Sequence, residues 1–378
     1  MRNVVVAGYA RSPFHLAGKG ALARVRPDDL AAQVIRGLIQ QTGVKAEDIE
    51  DIVLGCAFPE GEQGFNIARL IGLLADLPLS VGGMTVNRFC GSSMSSVHIA
   101  AGQIQLGAGE AFICAGVESM SRVPMMGFNP LPNPELAKKS AAYMGMGDTA
   151  ENIATKYQIT RAQQEAFAVA SQDKAAAAIA AGKLEAEIVP ITTKAGVVDK
   201  DGTPRAGTTT ETLAGLKPAF SQDGTVTAGT SSPLTDGASA ILVTSEDYAR
   251  AHGLPILARI KSVAVSGCQP EIMGIGPVEA SRKALQRAGL SVDQLDVVEL
   301  NEAFASQSLA SISDLGLDQS KVNLDGGAIA IGHPLGATGV RIVGKAAALL
   351  KREGGSYALA TQCIGGGQGI ATVLEAAE

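Results

Sequence analysis

Three reactive side chains lie in glycine-rich segments of the chain: Cys90, His333 and Cys363. Cys90 follows an apolar run and precedes Gly91-Ser-Ser93 and an alanine-rich stretch, which predicts a strand, a sharp turn and a helix. A cysteine beside a helix N-terminus meets unpaired N–H groups and the positive end of the helix dipole, which favour the thiolate. The position therefore indicates a reactive thiol, although a lone cysteine is more often a buried structural residue.

Two thiols and an imidazole suit acyl transfer with carbon–carbon chemistry. A thiolate attacks a thioester or ketone carbonyl, a base takes its proton, and N–H groups hold the oxyanion. Bond making or breaking beside a carbonyl needs a further acid/base for the α-carbon proton. Cys90, His333 and Cys363 could fill these roles, with Asn301 holding a water or an oxygen. We expect all four segments to follow or end strands, where reactive groups gather in open α/β sheets.

An internal repeat indicates how the chain positions these groups. The opening reads strand (3–7), helix (27–41) and strand (51–54), which favours a parallel sheet covered by helices. Residues 42–58 match residues 288–304 without a gap, and both copies end in Ala-Phe. We therefore expect two duplicated α/β halves.

A fainter second match places Cys90 opposite His333. Two equivalent turns, one carrying a thiol and the other an imidazole, would then face each other across a pseudo-twofold axis. Between the halves, residues 121–235 differ in character, with a Pro- and Met-rich loop, predicted helices at 149–157 and 160–181, and a polar, Gly-rich remainder. We interpret this segment as an insertion that forms a lid or holds a cofactor.

Composition limits the classes of function. With 378 residues, 46% hydrophobic and 18% charged, the chain can bury a large core. A net charge of −6 and only 4% aromatic residues argue against nucleic-acid binding. Five cysteines without CxxC spacing predict neither a disulfide framework nor a zinc site, so we expect a reducing, cytoplasmic location. No signal peptide, transit segment or membrane span is predicted.

Taken together, four segments in this order resemble signatures of the thiolase family: Asn87-Arg-Phe-Cys-Gly-Ser-Ser93, Asn301-Glu-Ala-Phe304, Gly332-His-Pro-Leu-Gly-Ala-Thr-Gly339 and Cys363-Ile-Gly-Gly-Gly-Gln-Gly369. The resemblance covers essentially the whole chain. It implies an α/β fold of duplicated α-β-α-β-α layers, with two five-stranded mixed sheets and an inserted loop domain. The implied boundaries are 1–120 with 236–254 for the first half, 121–235 for the CoA-holding insertion and 255–378 for the second half.

The resemblance also implies a role for each site residue. Cys90 would be the acyl-accepting nucleophile, His333 its activator and Cys363 the acid/base at the α-carbon. Asn301 would hold the water that forms one oxyanion hole with His333, and the N–H groups of Cys90 and Gly365 would form the other. Four further positions match contacts with coenzyme A or the pocket wall: Phe220, Ala228, Ser232 and Phe304.

The implied reaction is thiolysis of a 3-ketoacyl-CoA by coenzyme A, giving acetyl-CoA and a shortened acyl-CoA, with no metal or redox cofactor. The family is oligomeric, so a homodimer or homotetramer is expected, and a β-oxidation partner subunit stays open. Biosynthetic acetoacetyl-CoA thiolases usually carry a His where this chain has Gly145, and Asn-Ala-Ser-Gly where it has Thr230-Ser-Ser-Pro233. These differences favour the degradative type.

Alternatives remain at this point. The biosynthetic thiolase is the nearest one. A ketoacyl-synthase-type condensing enzyme shares the fold, but its Cys-His-His or Cys-His-Asn set argues against it because Cys363 stands here. A non-catalytic CoA-binding scaffold would not need all four polar positions. We leave Cys56, Cys114 and Cys268 as structural, and expect the methionines Met144, Met146 and Met273 to serve packing or to line an apolar pocket.

Overall fold

The computed structural model describes residues 2–377. The strands are β1 (Val4–Arg11), β2 (His15–Leu16), β3 (Ile49–Gly55), β4 (Gly82–Val86), β5 (Ala111–Ser119), β6 (Ile191–Thr193), β7 (Gly196–Val198), β8 (Thr235–Ser245), β9 (Ala258–Gly267), β10 (Val297–Leu300), β11 (Tyr357–Ile364) and β12 (Gln368–Glu375). The helices are α1 (Pro27–Thr42), α2 (Ile67–Leu74), α3 (Ser92–Leu106), α4 (Pro134–Lys139), α5 (Met146–Lys156), α6 (Arg161–Ala180), α7 (Thr210–Ala214), α8 (Glu246–Ala251), α9 (Gly276–Ala288), α10 (Ala305–Leu315), α11 (Ala328–Ile331) and α12 (Leu335–Glu353). Within residues 2–377, no helix is both long and apolar enough to cross a membrane.

The strands form one mixed sheet in the order β10-β11-β12-β9-β1-β8-β5-β3-β4. β3 runs parallel to β4 and β5, and β10 runs parallel to β11, whereas the other neighbours are antiparallel. β1 and β9 join the two halves through only two residue pairs, Val5 with Arg259 and Val6 with Ala258. β2 pairs with β8, and β6 with β7 forms a separate hairpin.

The sheet order contains the predicted repeat. The neighbouring strands β3, β5, β8 and β1 of the first half correspond, in the same order, to β10, β11, β12 and β9 of the second half. α1 and α9 precede β3 and β10, as the aligned segments predicted. β8 belongs to the first half, where it lies between β1 and β5.

The second half has four strands where five were expected. The first half adds β4 beside β3, but the second has only an isolated bridge between Val298 and Val322 beside β10. Asn323 turns the chain at once, with a φ of 49°. Its side-chain amide bonds both the N–H and the C=O of Leu300, at 2.9 Å each. These backbone groups are therefore unavailable to a longer fifth strand.

Three large apolar clusters lie between the helix layers and the sheet, in the positions that five alternating layers require. In the first, Ile35 of α1 and Ile71 of α2 pack on Ile52 of β3, outside the first half. The second lies between the halves around α3 and α12, and the third lies beneath α9 and α10, outside the second half. Helices thus cover both outer faces and fill the middle, which gives α-β-α-β-α stacking.

Glycines let the two central helices come into close contact. A Cβ on Gly339 of α12 would lie 2.2 Å from the backbone nitrogen of Met94 in α3, and one on Gly116 of β5 would lie 2.1 Å from the carbonyl oxygen of Gly336. Only residues without a side chain fit these contacts. The N-termini of α3 and α12, which begin at the equivalent positions Ser92 and Leu335, therefore meet at one place.

The segment between β5 and β8 contains α4 to α7 and the β6–β7 hairpin. α6 matches the helix predicted at 160–181 and begins at a capping box, in which Thr160 and Gln163 bond each other's backbone N–H. α5 begins earlier than predicted, at Met146. This segment packs on the second half, where Leu213 contacts α10 and α11. Its exact boundaries, 121 and 235, stay a prediction.

Candidate active site

Cys90 lies in a tight turn between β4 and α3, as predicted. A 3-10 turn spans Phe89–Gly91, and Phe89 has a left-handed φ of 43°. The Ser92 hydroxyl accepts from the N–H of Arg88 at 2.8 Å and donates to the carbonyl of Phe89 at 2.6 Å. These bonds offset the cost of the unusual backbone angle and direct the thiol towards the second half.

The expectation that every segment follows or ends a strand is wrong for His333. Cys363 lies near the end of β11 and Asn301 directly follows β10, but His333 follows the short helix α11. The strand that could have preceded it is replaced by the turn at Asn323. Gly332 makes the link with a φ of 107°, and the N–H of His333 donates to the Thr235 hydroxyl at 3.1 Å.

The structure brings Cys90, His333 and Cys363 to the wall of one cavity of about 720 Å³. The other predicted site residues in this wall are Gly365, Phe220, Ser232 and Phe304. Asn301 and Ala228 are not in the wall. Asn301 lies behind His333, with 3.4 Å between its Nδ2 and the imidazole Nε2, and Ala228 is exposed in a short 3-10 turn.

The surroundings of Cys90, which is partly buried in the cavity wall, do not favour the expected thiolate. Burial raises the pKa of Cys90 to about 12, although hydrogen bonds from the N–H groups of Gly365 and Cys90 itself lower it, and the charge of Glu118 adds to the rise. Desolvation therefore outweighs the helix N-terminus. The two N–H groups that contact the sulfur are the pair that the resemblance assigned to an oxyanion hole.

His333 is neutral and its tautomer is fixed. Burial, with a contribution from Arg341, lowers the pKa of His333 to about 3. The Thr338 hydroxyl donates to the carbonyl of Pro334 at 3.0 Å, so its oxygen accepts from Nδ1–H of the imidazole at 2.6 Å. Nε2 then keeps its lone pair and can accept a proton.

Asn301 and the adjacent Glu302 differ in how far their side chains are hydrogen-bonded within the protein. Oδ1 of Asn301 is buried and has no hydrogen-bond partner among the described residues. The carboxylate of Glu302 instead accepts from Ser171 at 2.6 Å, from Asn323 at 2.7 Å and from the N–H of Ile329 at 3.1 Å. Asn301 is thus the member of the pair with free hydrogen-bonding capacity beside the imidazole.

Comparison with known proteins identifies the family. The profile described as "Thiolase, N-terminal domain" matches residues 4–247, and "Thiolase, C-terminal domain" matches residues 254–376. The chain belongs to the thiolase family. The resemblance inferred from the four segments is confirmed, and so is the predicted thiolase-like α/β fold class, apart from the fifth strand of the second half.

Relatives and solved structures agree with this assignment. The "3-ketoacyl-CoA thiolase" of Bacillus subtilis (strain 168) is 47% identical over 389 residues, covering 99% of this chain and 100% of the relative. That of Pseudoalteromonas translucida (strain TAC 125) is 49% identical over 386 residues, with 99% of both covered. The crystal structure of human mitochondrial 3-ketoacyl-CoA thiolase in complex with CoA is 38% identical, with a TM-score of 0.92 over 100% of this chain and 98% of that one.

Methionines form much of the thiolase cavity wall. Met144, Met146 and Met273 line it, as the sequence allowed, and the sequence interpretation missed Met120, Met125 and Met126. The Met-rich loop at 123–134 was the available signal. The ring of Phe220 meets that of Phe304 edge-on, with 5.8 Å between centroids. Flexible thioethers and aromatic edges fit apolar chains of varied shape.

The sequence interpretation also missed residues that hold the thiolase site together. Thr338 fixes the His333 tautomer, and Gln362 donates its side-chain amide to the carbonyl of Cys90. Both stand inside or beside the recognised segments, so their position in the sequence was a usable signal. Glu118 is buried behind the cavity, and no sequence signal indicated its involvement. Cys56 and Cys114 are buried as expected, and Cys268 is partly buried.

Proposed function

We propose that this thiolase cleaves 3-ketoacyl-CoA with coenzyme A, giving acetyl-CoA and an acyl-CoA shortened by two carbons, as an acetyl-CoA C-acyltransferase. One observation carries the proposal: Cys90, His333 and Cys363 line a single cavity beside the N–H of Gly365. Nucleophile, base and α-carbon acid/base are the set that reversible Claisen chemistry needs.

In the first stage the Cys90 sulfur attacks the 3-keto carbonyl while Nε2 of His333 takes its proton. The developing oxyanion at C3 accepts from the N–H groups of Cys90 and Gly365. The bond between C2 and C3 then breaks, and its electron pair forms the enolate of acetyl-CoA, whose oxygen accepts from Asn301-bound water and His333. The Cys363 thiol donates its proton to that enolate, so the acyl group remains on Cys90 as a thioester.

In the second stage free coenzyme A replaces the cysteine. The Cys363 thiolate takes the proton of the coenzyme A thiol, which attacks the acyl-Cys90 carbonyl. The N–H groups of Cys90 and Gly365 stabilise the oxyanion, in keeping with their contacts to the Cys90 sulfur. The Cys90 sulfur leaves and recovers its proton from His333, so every proton is balanced.

The inserted segment at 121–235 would hold coenzyme A over this centre. Phe220 and Ser232 line the cavity, and Phe304 supports Phe220 from the second half. Ser232 is itself fixed by a 2.9 Å bond from its N–H to the carbonyl of Ala303. Ala228 lies outside the cavity wall, so we assign it to the part of coenzyme A that extends towards solvent.

A homodimer or homotetramer is part of the proposal. β4 is the terminal strand of the sheet, is half-buried along its whole length and has β3 as its neighbour. Beside it, Phe65, Leu73 and Leu79 are exposed. An apolar surface next to a free strand edge favours association. We also propose a cytoplasmic location, in keeping with the bacterial relatives, and leave open a β-oxidation partner subunit.

The test of function is turnover across chain lengths. Purified protein with coenzyme A should cleave acetoacetyl-CoA or longer 3-ketoacyl-CoA substrates. The reaction is measured as the loss of the absorbance of the substrate's enolate form. The apolar, Met-lined cavity favours activity beyond four carbons. Absence of turnover at every length, from short to long, would contradict the proposal.

The biosynthetic acetoacetyl-CoA thiolase is the second candidate, since the same site can run in the condensing direction. Gly145 lines the cavity where that type usually carries a His. Activity confined to acetoacetyl-CoA in the chain-length series would favour the second candidate. A condensing enzyme of the ketoacyl-synthase type is disfavoured because Cys363 shares the cavity with Cys90.

A further inference from the structure

Glu118 is a buried carboxylate at the end of β5, with 1% of its surface exposed. One of its oxygens accepts from the N–H groups of Ala57 and Gly336, both at 2.8 Å. The other accepts from the Gln63 amide at 2.8 Å and the N–H of Phe58 at 3.3 Å, with the Cys56 thiol at 3.8 Å. The five donors come from both halves of the molecule.

Every one of these partners donates a hydrogen, so the carboxyl group has no acceptor for a proton of its own. Burial raises the pKa of Glu118, and the Ala57 N–H, the Gln63 amide and the N–H groups of Gly336 and Phe58 lower it. The geometry therefore fits the ionised form. Burying a carboxylate that is held only by neutral donors costs desolvation free energy. We therefore expect its hydrogen bonds to have a structural or functional role.

The partners of Glu118 lead directly to the two reacting side chains. Gly336 is in the first turn of α12, which begins two residues after His333. On the other side, the ring of Phe58 packs on that of Phe89, with 5.8 Å between centroids, and Phe89 precedes Cys90. A single carboxylate thus joins the helix that follows the base to the turn that carries the nucleophile.

We propose that Glu118 is a positioning residue for acyl transfer, whose carboxylate fixes the start of α12 against the Phe58–Phe89 contact and so sets the approach of His333 to Cys90. The inference rests on the proposed function, because it takes the roles of Cys90 and His333 from there. Glu118 is outside the cavity wall and does not touch substrate.

The charge of Glu118 gives this role a second, independent signature. Its negative charge contributes to the raised pKa of Cys90. The other ionisable groups in the cavity wall around the thiol are His333, Cys363, Glu60, Asp148 and Tyr143. The guanidinium of Arg88, nearby, bonds Ser95 and Gln368. Removing the Glu118 charge should therefore make Cys90 easier to deprotonate, which a purely structural role would not do.

The experiment compares Glu118→Gln and Glu118→Asp with wild type. We measure the rate constant for alkylation of Cys90 by iodoacetamide at about pH 8, read as the mass of its peptide, together with kcat and KM. Glu118→Gln should raise this rate constant about threefold or more and reduce kcat about tenfold or more, with KM changed less than about threefold. Glu118→Asp keeps the charge but shortens the reach, so kcat should fall while the alkylation rate constant stays near wild type.

Glu246→Gln is the matched control, since Glu246 is another buried carboxylate with several donors but lies on α8, away from the cavity. An unchanged alkylation rate constant in Glu118→Gln, or a loss of kcat no greater than in Glu246→Gln, overturns the proposal. If Glu118→Gln does not fold, Gln63→Met decides: it removes one donor and keeps the charge, and an unchanged kcat there overturns the positioning role. Wild-type turnover is measured first, so failure of the proposed function is seen separately from failure at Glu118.

Discussion

At the scale of single residues, the site is built from two neutral groups. Burial raises the pKa of Cys90 to about 12 and lowers that of His333 to about 3, so neither is ionised near neutral pH. Proton transfer from sulfur to Nε2 must then accompany the attack on substrate. The oxyanion donors stabilise the negative charge that develops on the substrate oxygen. A resting thiol is also less prone to oxidation than a resting thiolate.

The division of work between the two thiols leads to the first prediction. Cys90→Ala should abolish formation of an acetyl-enzyme from acetyl-CoA, because the acyl acceptor is gone. Cys363→Ala should still form the acetyl-enzyme, although more slowly because Cys363 no longer protonates the leaving coenzyme A, and should lose thiolysis by about a hundredfold or more, because the enolate has no proton donor. Intact-mass spectrometry measures the acetyl group, and equal loss of acetylation in both variants would contradict the assignment.

The second prediction concerns the tautomer of His333. Thr338→Val removes the acceptor for Nδ1–H, so kcat should fall at least about tenfold with KM nearly unchanged. Steady-state kinetics checks this. Thr244→Val is the control, since the Thr244 hydroxyl is buried in β8 and has no hydrogen-bond partner among the described residues. Wild-type kcat in Thr338→Val would show that the tautomer is set by other groups.

At the scale of elements, close packing of α3 and α12 brings the two halves of the site together. Both helices begin beside the cavity, and Gly339 and Gly116 allow the necessary approach. The Cys90 turn and the His333 loop are therefore placed by helix packing rather than by their own flexible backbones. Ser93 strengthens the contact, because its hydroxyl accepts from the N–H of Val340 at 2.9 Å.

The third prediction tests that packing. Gly339→Ala should destabilise the protein by about 2 kcal/mol or more, since the new Cβ would lie 2.2 Å from the Met94 backbone, which cannot move freely. Gly102→Ala in α3 is the control, because nothing lies within 4 Å of its Cβ position, and it should be neutral or stabilising by up to about 1 kcal/mol. Chemical denaturation measures both. Equal stability of the two variants would refute the close-contact argument.

At the scale of the whole molecule, buried neutral histidines make stability depend on pH. Burial, with Arg88 and Arg287 adding to it, lowers the pKa of His98 to about 3, as burial does for His333. In the unfolded chain a histidine has a pKa of about 6.5. Between these values the unfolded state binds more protons, so the free energy of unfolding falls as pH drops from about 6.5 towards 3.

The fourth prediction follows from this sign. His98→Gln should reduce the difference in Tm between pH 7.5 and pH 5, because one of the contributing groups is gone. His252→Gln is the control, since His252 is part-exposed and stacks on Tyr248. Thermal unfolding at both pH values measures the effect. A pH dependence in His98→Gln as steep as in wild type would contradict the burial argument.

The sequence predicted much of this architecture because its signals are local or repeated. Hydrophobic periodicity located elements such as β1, α1 and β3, and the helix predicted at 160–181 corresponds to α6. The repeat paired α3 with α12 and placed Cys90 opposite His333. Strand number in the second half was not predictable, since it depends on how the Asn323 side chain bonds Leu300, a contact between separate segments.

The sequence by itself determined the family, the duplicated layers and the residue types of the site, because four ordered segments and an internal repeat are present in the linear order. Tertiary structure alone decided the ionisation states, since the pKa values of Cys90 and His333 follow from burial rather than from residue type. It also decided that Glu118 joins the site. Desolvation and hydrogen bonding sum contributions from distant segments, which no local pattern in the chain contains.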